Sequence, residues 1–122
     1  MEQARIHGKR ILVVEDDPSA RESIKLLLRI DRHEVMEAKD GREALDLLNR
    51  QPFDLVVLDY AMPEMLGREV ALHVRRIAPA LPILMVTAYL EKLSGADLPV
   101  NAVLGKPFAL DELRQAIAKL VS

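Results

Sequence analysis

Apolar residues follow two alternating patterns along the chain, which predict strands and helices in turn. Five short stretches are apolar runs or alternate between apolar and polar residues, as parallel strands do at the centre and at the edge of a sheet. The first, third and fourth are continuous runs, which indicates strands covered on both faces. The predicted strands are residues 11–14, 34–38, 53–58, 83–86 and 102–104.

Between these runs, apolar residues recur at every third or fourth position, as they do in amphipathic helices. Asp17 followed by Pro18 predicts the start of the first helix, because the carboxylate can cap it and proline lacks only an N–H that would have no partner. Asp40 is expected to cap a second helix, and Gly67 to open a third. The last helix carries Leu110, Leu113, Ile117 and Leu120 in register.

The segment between the fourth and fifth strands has the weakest pattern. We expect a short helix over residues 90–94 that ends at Gly95, because glycine readily adopts the conformation that follows a helix. The stretch from Thr87 to Lys106 is short, so this helix should be stunted or irregular.

The alternation of strands and helices predicts an α/β fold with a doubly wound, five-stranded parallel sheet. The flavodoxin-like strand order 2-1-3-4-5 fits this pattern, and ligands of such sheets bind beyond the carboxyl ends of the strands. With 122 residues, the chain has the length of one domain. We expect a polar leader over residues 1–9 and a single domain over 10–122.

Composition serves mainly to exclude partners and compartments. The 17 basic and 19 acidic residues give a net charge of -2, which argues against nucleic acid or an anionic membrane as the main partner. Cysteine is absent, so disulfides and thiolate metal sites are excluded. No apolar run approaches the ~20 residues needed to cross a bilayer, and we expect a cytoplasmic protein.

Polar residues follow four of the predicted strands at their carboxyl ends. Glu15 and Asp16 come after the first strand and Asp59 closes the third, while Thr87 and Lys106 follow the fourth and fifth. Because these ends share one edge of a parallel sheet, we expect the five side chains to converge. Carboxylates without histidine or cysteine select a hard cation, and the site therefore predicts Mg²⁺ with a phosphoryl group.

Each remaining group at this edge has a chemical role to which it is suited. The backbone carbonyl of Ala61 could supply a further oxygen to the metal. Lys106 could pair with Asp59 and later hold a phosphoryl oxygen, and the Thr87 hydroxyl could donate to another. Phosphoryl transfer depends mostly on positioning and charge neutralisation, so this set would allow Asp59 to attack a phosphodonor.

The chain resembles the response-regulator receiver domains of two-component signalling over almost its whole length, from about residue 10 to residue 120. Four motifs carry the resemblance in the expected order and spacing, and together they are far more specific than any one of them. They are residues 11–17 (ILVVEDD), 58–63 (LDYAMP), 86–88 (VTA) and 106–108 (KPF).

The resemblance implies that Asp59 accepts a phosphoryl group from a phosphohistidine on a histidine kinase or a histidine phosphotransfer protein. It also implies a cis bond between Lys106 and Pro107. Apart from self-phosphorylation and autodephosphorylation with Mg²⁺, no enzymatic activity is expected. The implied metal ligands are Asp16, Asp59 and the Ala61 carbonyl, with Glu15 acting through water, and Thr87 and Lys106 are implied to hold the phosphoryl group.

One departure from the family pattern leaves an alternative open. Val103 stands where most receivers have the aromatic residue that moves with the threonine, so the chain could be a degenerate receiver that serves as an interaction or dimerisation module. An aspartate-nucleophile phosphatase would need a second acid at position 61, which is alanine. The partners expected besides the kinase are an output domain or downstream protein and a second copy, with the last helix as a dimer face.

Overall fold

The computed structural model describes residues 8–62, 65–93 and 97–121, which contain five strands and four helices. Strands and helices alternate except between the fourth and fifth strands, where the described residues form no helix. The strands agree with the predicted ones to within two residues at each end. The elements are β1 (Arg10–Val14), α1 (Pro18–Ile30), β2 (Glu34–Ala38), α2 (Gly41–Arg50), β3 (Leu55–Asp59), α3 (Gly67–Ile77), β4 (Ile83–Thr87), β5 (Ala102–Gly105) and α4 (Leu110–Val121).

All the strands pair in parallel, in the order β2-β1-β3-β4-β5. The predicted doubly wound, flavodoxin-like sheet is therefore confirmed. Val14 pairs with Leu58, and Asp59 pairs with Val86. This register brings the residue after Val14 level with Asp59, so the ends of β1 and β3 meet on either side of the point where the strand order reverses.

Local side chains explain where the helices begin. The Asp17 carboxylate accepts a hydrogen bond of 3.2 Å from the Ser19 N–H at the start of α1, with Pro18 in the first turn. Asp40 accepts one of 2.8 Å from the Glu43 N–H at the start of α2. Both predicted caps are confirmed, and each satisfies an N–H that has no partner within its helix.

The sheet carries an apolar core on each face, because alternate residues of the central strands point to opposite sides. Residues such as Val14, Leu58 and Met85 pack with α2 and α3, whereas Val13, Val57 and Val86 pack with α1 and α4. Every residue of β3 and β4 is buried. The polar residues at the ends of these strands are thus carried by the stiffest part of the fold.

The segment after β4 differs from the prediction. Instead of a helix over 90–94, residues 90–93 form a single turn in which the Leu93 N–H contacts the Tyr89 and Leu90 carbonyls at 3.1 and 3.2 Å. Ser94 and Gly95, like residues 1–7 of the predicted leader and Pro63 of the second motif, lie outside the described residues. Within the described ranges, no helix is long and apolar enough to cross a membrane.

Candidate functional site

Glu15 and Asp59 lie side by side at the buried end of the sheet. Their exposed fractions are 1% and 6%, so both carboxylates are largely removed from water. The Glu15 N–H donates to the Ala38 carbonyl at 3.1 Å, which extends the pairing of β1 with β2 by one residue. Ionised groups in such a position need a cation or strong hydrogen bonds.

Lys106 supplies that positive charge from the loop after β5. Its Nζ donates to Glu15 Oε1 at 2.6 Å and to Asp59 Oδ1 at 3.2 Å. The predicted pair with Asp59 is therefore present, but the contact with Glu15 is shorter. The Lys106–Pro107 bond is cis, as the family resemblance implied.

The contacts and the burial shift two pKa values. Burial raises the pKa of the Glu15 carboxyl, and the neighbouring Asp59 adds to the effect, while the hydrogen bond from Lys106 opposes it. For Lys106, burial acts to lower the pKa, but the hydrogen bond to Glu15 and the charge of Asp59 outweigh it and raise the pKa above its ordinary value. The ammonium therefore stays charged at neutral pH, between two acids of which one resists ionisation.

Asp16 completes an acidic group that can hold a metal ion. Carboxylate oxygens of Glu15, Asp16 and Asp59 lie within 4.8 Å of one another, and Asp16 is partly exposed. Oxygens on opposite sides of a Mg²⁺ ion are about 4.2 Å apart, so the spacing of this set is close to that of ligands around one ion. We call Glu15, Asp16, Asp59 and Lys106 the acid–lysine cluster.

The loop after β3 is held close to Asp59 by a glycine. The Gly67 N–H donates to the Tyr60 carbonyl at 2.8 Å. A Cβ atom at position 67 would lie 2.3 Å from the Asp59 backbone oxygen and 2.9 Å from Tyr60 Cα. Only glycine permits this approach, and the loop that it closes contains Ala61, whose carbonyl stays a predicted metal ligand.

Thr87 ends β4 and is 1% exposed. Its Oγ1 accepts a hydrogen bond of 2.9 Å from the Tyr89 N–H, so the hydroxyl helps to hold the backbone of the residues that follow β4. Tyr89 and Leu90 are each 46% exposed, and Lys92 Nζ lies 5.5 Å from the centre of the Tyr89 ring. We call residues 88–93 the Tyr89 turn.

Sequence reasoning missed two contacts at this site. The bond between Lys106 and Glu15 joins residues 91 apart in sequence, and the sequence alone predicts Glu15 only as part of the metal site. Arg21 donates to the Glu15 carbonyl at 2.8 Å. A positive residue one helical turn after the Asp17 cap was the available signal for the second contact, but spacing does not identify its acceptor.

The fold, the motifs and the clustered acids together define a receiver domain. The sequence model of the response regulator receiver domain matches residues 11–118. The chain belongs to this family, and it is the receiver domain of a response regulator.

Individual relatives agree with this assignment. The response regulator MprA of Mycolicibacterium vanbaalenii is 46% identical over 107 residues, which are 85% of this chain and 46% of MprA. The response regulator TrrA of Thermotoga maritima, solved with Mg²⁺ and BeF, is 37% identical with a TM-score of 0.86, and the match covers 92% of this chain and 98% of TrrA. TrrA solved in complex with the histidine kinase ThkA is also 37% identical, with a TM-score of 0.84 and coverage of 93% and 99%. The chain spans about half the length of the curated relatives that it matches.

Proposed function

We propose that this domain accepts a phosphoryl group on Asp59 from a phosphohistidine of a histidine kinase or a phosphotransfer protein, with Mg²⁺ bound. The observation that carries the proposal is the arrangement around Asp59. Its Oδ1 lies 3.2 Å from a lysine ammonium, and its carboxylate lies within 4.8 Å of those of Glu15 and Asp16. A rigid, desolvated carboxylate beside a cation and a metal-binding group suits nucleophilic attack on phosphorus.

In the proposed reaction, this chain's own residues supply the nucleophile and the groups that hold the phosphoryl oxygens. An Asp59 carboxylate oxygen attacks the phosphorus, the new O–P bond forms, and the P–N bond to the donor imidazole breaks. The electron pair of that bond stays on the imidazole nitrogen, which takes up a proton. Lys106 balances charge on a phosphoryl oxygen, and the Thr87 hydroxyl donates to another after it turns from the Tyr89 N–H.

Magnesium fits the donor set, which consists of oxygens alone. Asp16 and Asp59 are proposed as direct ligands with the Ala61 carbonyl, and Glu15 is proposed to act through water. When bound, the ion neutralises the carboxylates and the charge on the transferred group. No enzymatic activity beyond self-phosphorylation and hydrolysis of the acyl phosphate is proposed.

The test of phosphoryl acceptance is the mass of the intact protein after incubation with acetyl phosphate and Mg²⁺. We expect the wild type to gain one phosphoryl group and Asp59→Asn to gain none. Asp54→Asn is the matched control, because Asp54 lies just before the same strand and accepts from the Arg10 N–H at 2.8 Å instead. A wild type that gains no mass would favour the degenerate receiver, and a gain that persists in Asp59→Asn would identify another acceptor.

The test of the metal site is thermal unfolding with and without Mg²⁺. Because the ion binds only the folded site, an ion concentration of 100 times Kd should stabilise the protein by about 2.7 kcal/mol. Asp16→Asn should reduce the effect strongly, whereas Asp17→Asn, which alters the helix cap, should preserve it. An unchanged transition in the wild type would rule out a magnesium site in this cluster.

The partners are proposed from the relatives. TrrA is found in complex with the histidine kinase ThkA, which supports a histidine kinase as the donor for this chain. MprA is about twice as long as the matched region, which supports an output domain in the whole protein. A homodimer through α4, a cytoplasmic location and a domain that spans 10–122 stay predictions.

A further inference from the structure

A polar network joins α1 to β2 next to the β1–α1 loop. Arg21 Nε donates to Glu37 Oε1 at 2.8 Å, and Lys25, one turn further along α1, contacts the other oxygen of the same carboxylate. The side chains of Arg21 and Lys25 are only 18% and 13% exposed. The hydrogen bond from Lys25, supported by that from Arg21, holds the pKa of Glu37 below its ordinary value although partial burial acts in the opposite direction.

Arg21 also reaches the acid–lysine cluster, whereas Lys25, within the part of the chain that the structure describes, pairs with Glu37 and Glu22 and not with the cluster. The second nitrogen of the guanidinium, Nη1, donates to the Glu15 carbonyl at 2.8 Å. A guanidinium can do both because its planar fork presents several N–H groups in fixed directions. The hydrogen bond is charge-assisted and lies in a partly buried place, where such bonds are strong.

The two peptide units that flank Glu15 are therefore both held, the preceding one by β2 and the one to Asp16 by Arg21. The Glu15 N–H is bound by the Ala38 carbonyl at 3.1 Å, and its carbonyl is bound by Arg21. Because the peptide unit is planar, fixing the Glu15 carbonyl also fixes the direction of the Asp16 N–H. Arg21 thus holds the peptide that joins Glu15 to Asp16, both of which are members of the cluster, and Glu15 contacts Lys106.

We infer that Arg21 is a positioning residue for the acid–lysine cluster. Anchored by Glu37, it holds the Glu15–Asp16 peptide so that both carboxylates are arranged before a metal ion or phosphoryl donor arrives. The part of the inference that concerns the ion rests on the proposed function. Groups that orient metal ligands without touching the metal commonly change affinity by 10- to 100-fold when removed.

The experiment compares Arg21→Met with Lys25→Met. Both variants remove one cation from Glu37 and keep an unbranched helix-forming side chain, but only the first removes the bond to the Glu15 carbonyl. Three quantities are measured in each variant: amide exchange at Glu15 and the ¹⁵N order parameter of Asp16, both in metal-free protein, and the Kd for Mg²⁺ by calorimetric titration. Thermal unfolding confirms that each variant is folded at the temperature of measurement.

For Arg21→Met we expect faster exchange at Glu15, a lower order parameter at Asp16 and about tenfold weaker Mg²⁺ binding. For Lys25→Met we expect all three to stay within twofold of the wild type. Arg21→Lys should fall between them, because an ammonium cannot reproduce both directions of the fork. If Arg21→Met does not fold, Glu37→Gln replaces it. We then expect a two- to threefold loss of Mg²⁺ affinity, because the Arg21 guanidinium remains but its hydrogen bond to position 37 is weakened.

Equal values for Arg21→Met and Lys25→Met in all three quantities would overturn the inference. Where Glu37→Gln replaces Arg21→Met, wild-type amide exchange and wild-type Mg²⁺ affinity in Glu37→Gln would likewise overturn the inference. A wild type that does not bind Mg²⁺ would refute the metal part of the proposed function. The metal-free exchange and order parameters would then still decide whether Arg21 positions the peptide.

Discussion

The acid–lysine cluster and the Tyr89 turn lie at the same edge of the sheet but are built very differently. Glu15 and Asp59 are almost fully buried, and Lys106 bonds to both of them. Tyr89 and Leu90 are nearly half exposed, and the turn is held mainly by the contact from the Tyr89 N–H to Thr87 and by the bonds of the Leu93 N–H.

This difference follows from strand position. The cluster stands on β1 and β3, which have neighbouring strands on both sides, whereas the turn lies between β4 and the edge strand β5, whose residues are all only half-buried. Elements with few buried contacts open at low free energy. The well-packed side is thus suited to hold charge in place, and we expect the exposed Tyr89 turn to be the part that changes conformation more easily.

The largest expected effect comes from removing the cation of the cluster. Lys106→Met leaves Glu15 and Asp59 buried together, so phosphorylation by acetyl phosphate should slow about a hundredfold. The free energy of unfolding should fall by about 1 to 3 kcal/mol, less than for a fully buried pair because the lysine is partly exposed. The intact mass followed against time measures the phosphorylation rate, and denaturant unfolding measures the stability.

Lys92→Met is the control for this change on the other side of the comparison. It removes an ammonium over the exposed ring of Tyr89, and we expect stability within about 0.5 kcal/mol of the wild type and an unchanged phosphorylation rate. Similar losses in the two variants would mean that the cluster is no more dependent on its lysine than the turn is.

Two glycines test the rigidity of the two sides directly. Gly67→Ala places a Cβ against the backbone of Asp59 and Tyr60, which cannot move without shifting β3, and should destabilise the protein by about 1 to 3 kcal/mol. Gly105→Ala meets the Leu90 side chain at 2.9 Å, and this side chain can rotate away. For Gly105→Ala we expect the free energy of unfolding to change by less than about 1 kcal/mol. Equal losses in the two variants, measured by denaturant unfolding, would mean that the cluster side is no more rigid than the Tyr89 turn.

The raised pKa of Glu15 makes stability depend on pH without metal. Its folded pKa lies above the ordinary value of 4.5, so its favourable contribution is complete below that value and is lost as pH rises through the folded pKa. Glu15→Gln removes this dependence, and the stability of the wild type relative to the variant should decline as pH rises from about 4.5. Denaturant unfolding of both proteins in magnesium-free buffer between pH 4 and 8 measures this difference in stability. A difference that rises with pH would contradict the effect of burial on the pKa of Glu15.

For Val103→Ala on β5 we expect a modest loss of stability and no effect on phosphorylation. Val103 is half-buried against the core on the α3 side, so its truncation should cost about 1 kcal/mol. Because it lies outside the cluster, the rate and extent of phosphorylation should equal those of the wild type. A slower phosphorylation rate would show that the strand at the edge contributes to capture.

Much of the architecture could be predicted from local pattern. Continuous apolar runs identified β1, β3 and β4, and Asp17 and Asp40 marked helix starts, because burial and capping depend on neighbouring residues. The parallel order then placed Glu15, Asp59 and Lys106 at one edge. The Tyr89 turn could not be predicted well, because its residues have weak helical spacing and their conformation depends on Thr87 and Leu93 contacts.

The side-chain partners within the site needed the folded chain. Asp59 could be identified as the central acid because it ends a buried run, which is a property of its own segment. That Lys106 sits closer to Glu15 than to Asp59, and that Arg21 binds the Glu15 carbonyl, depends on how a loop and a helix lie against β1. These contacts join residues that are far apart in sequence, so the local pattern of apolar and polar positions does not relate them. Hydrogen-bond partners depend on distance in the folded chain and on burial, which only the tertiary structure decides.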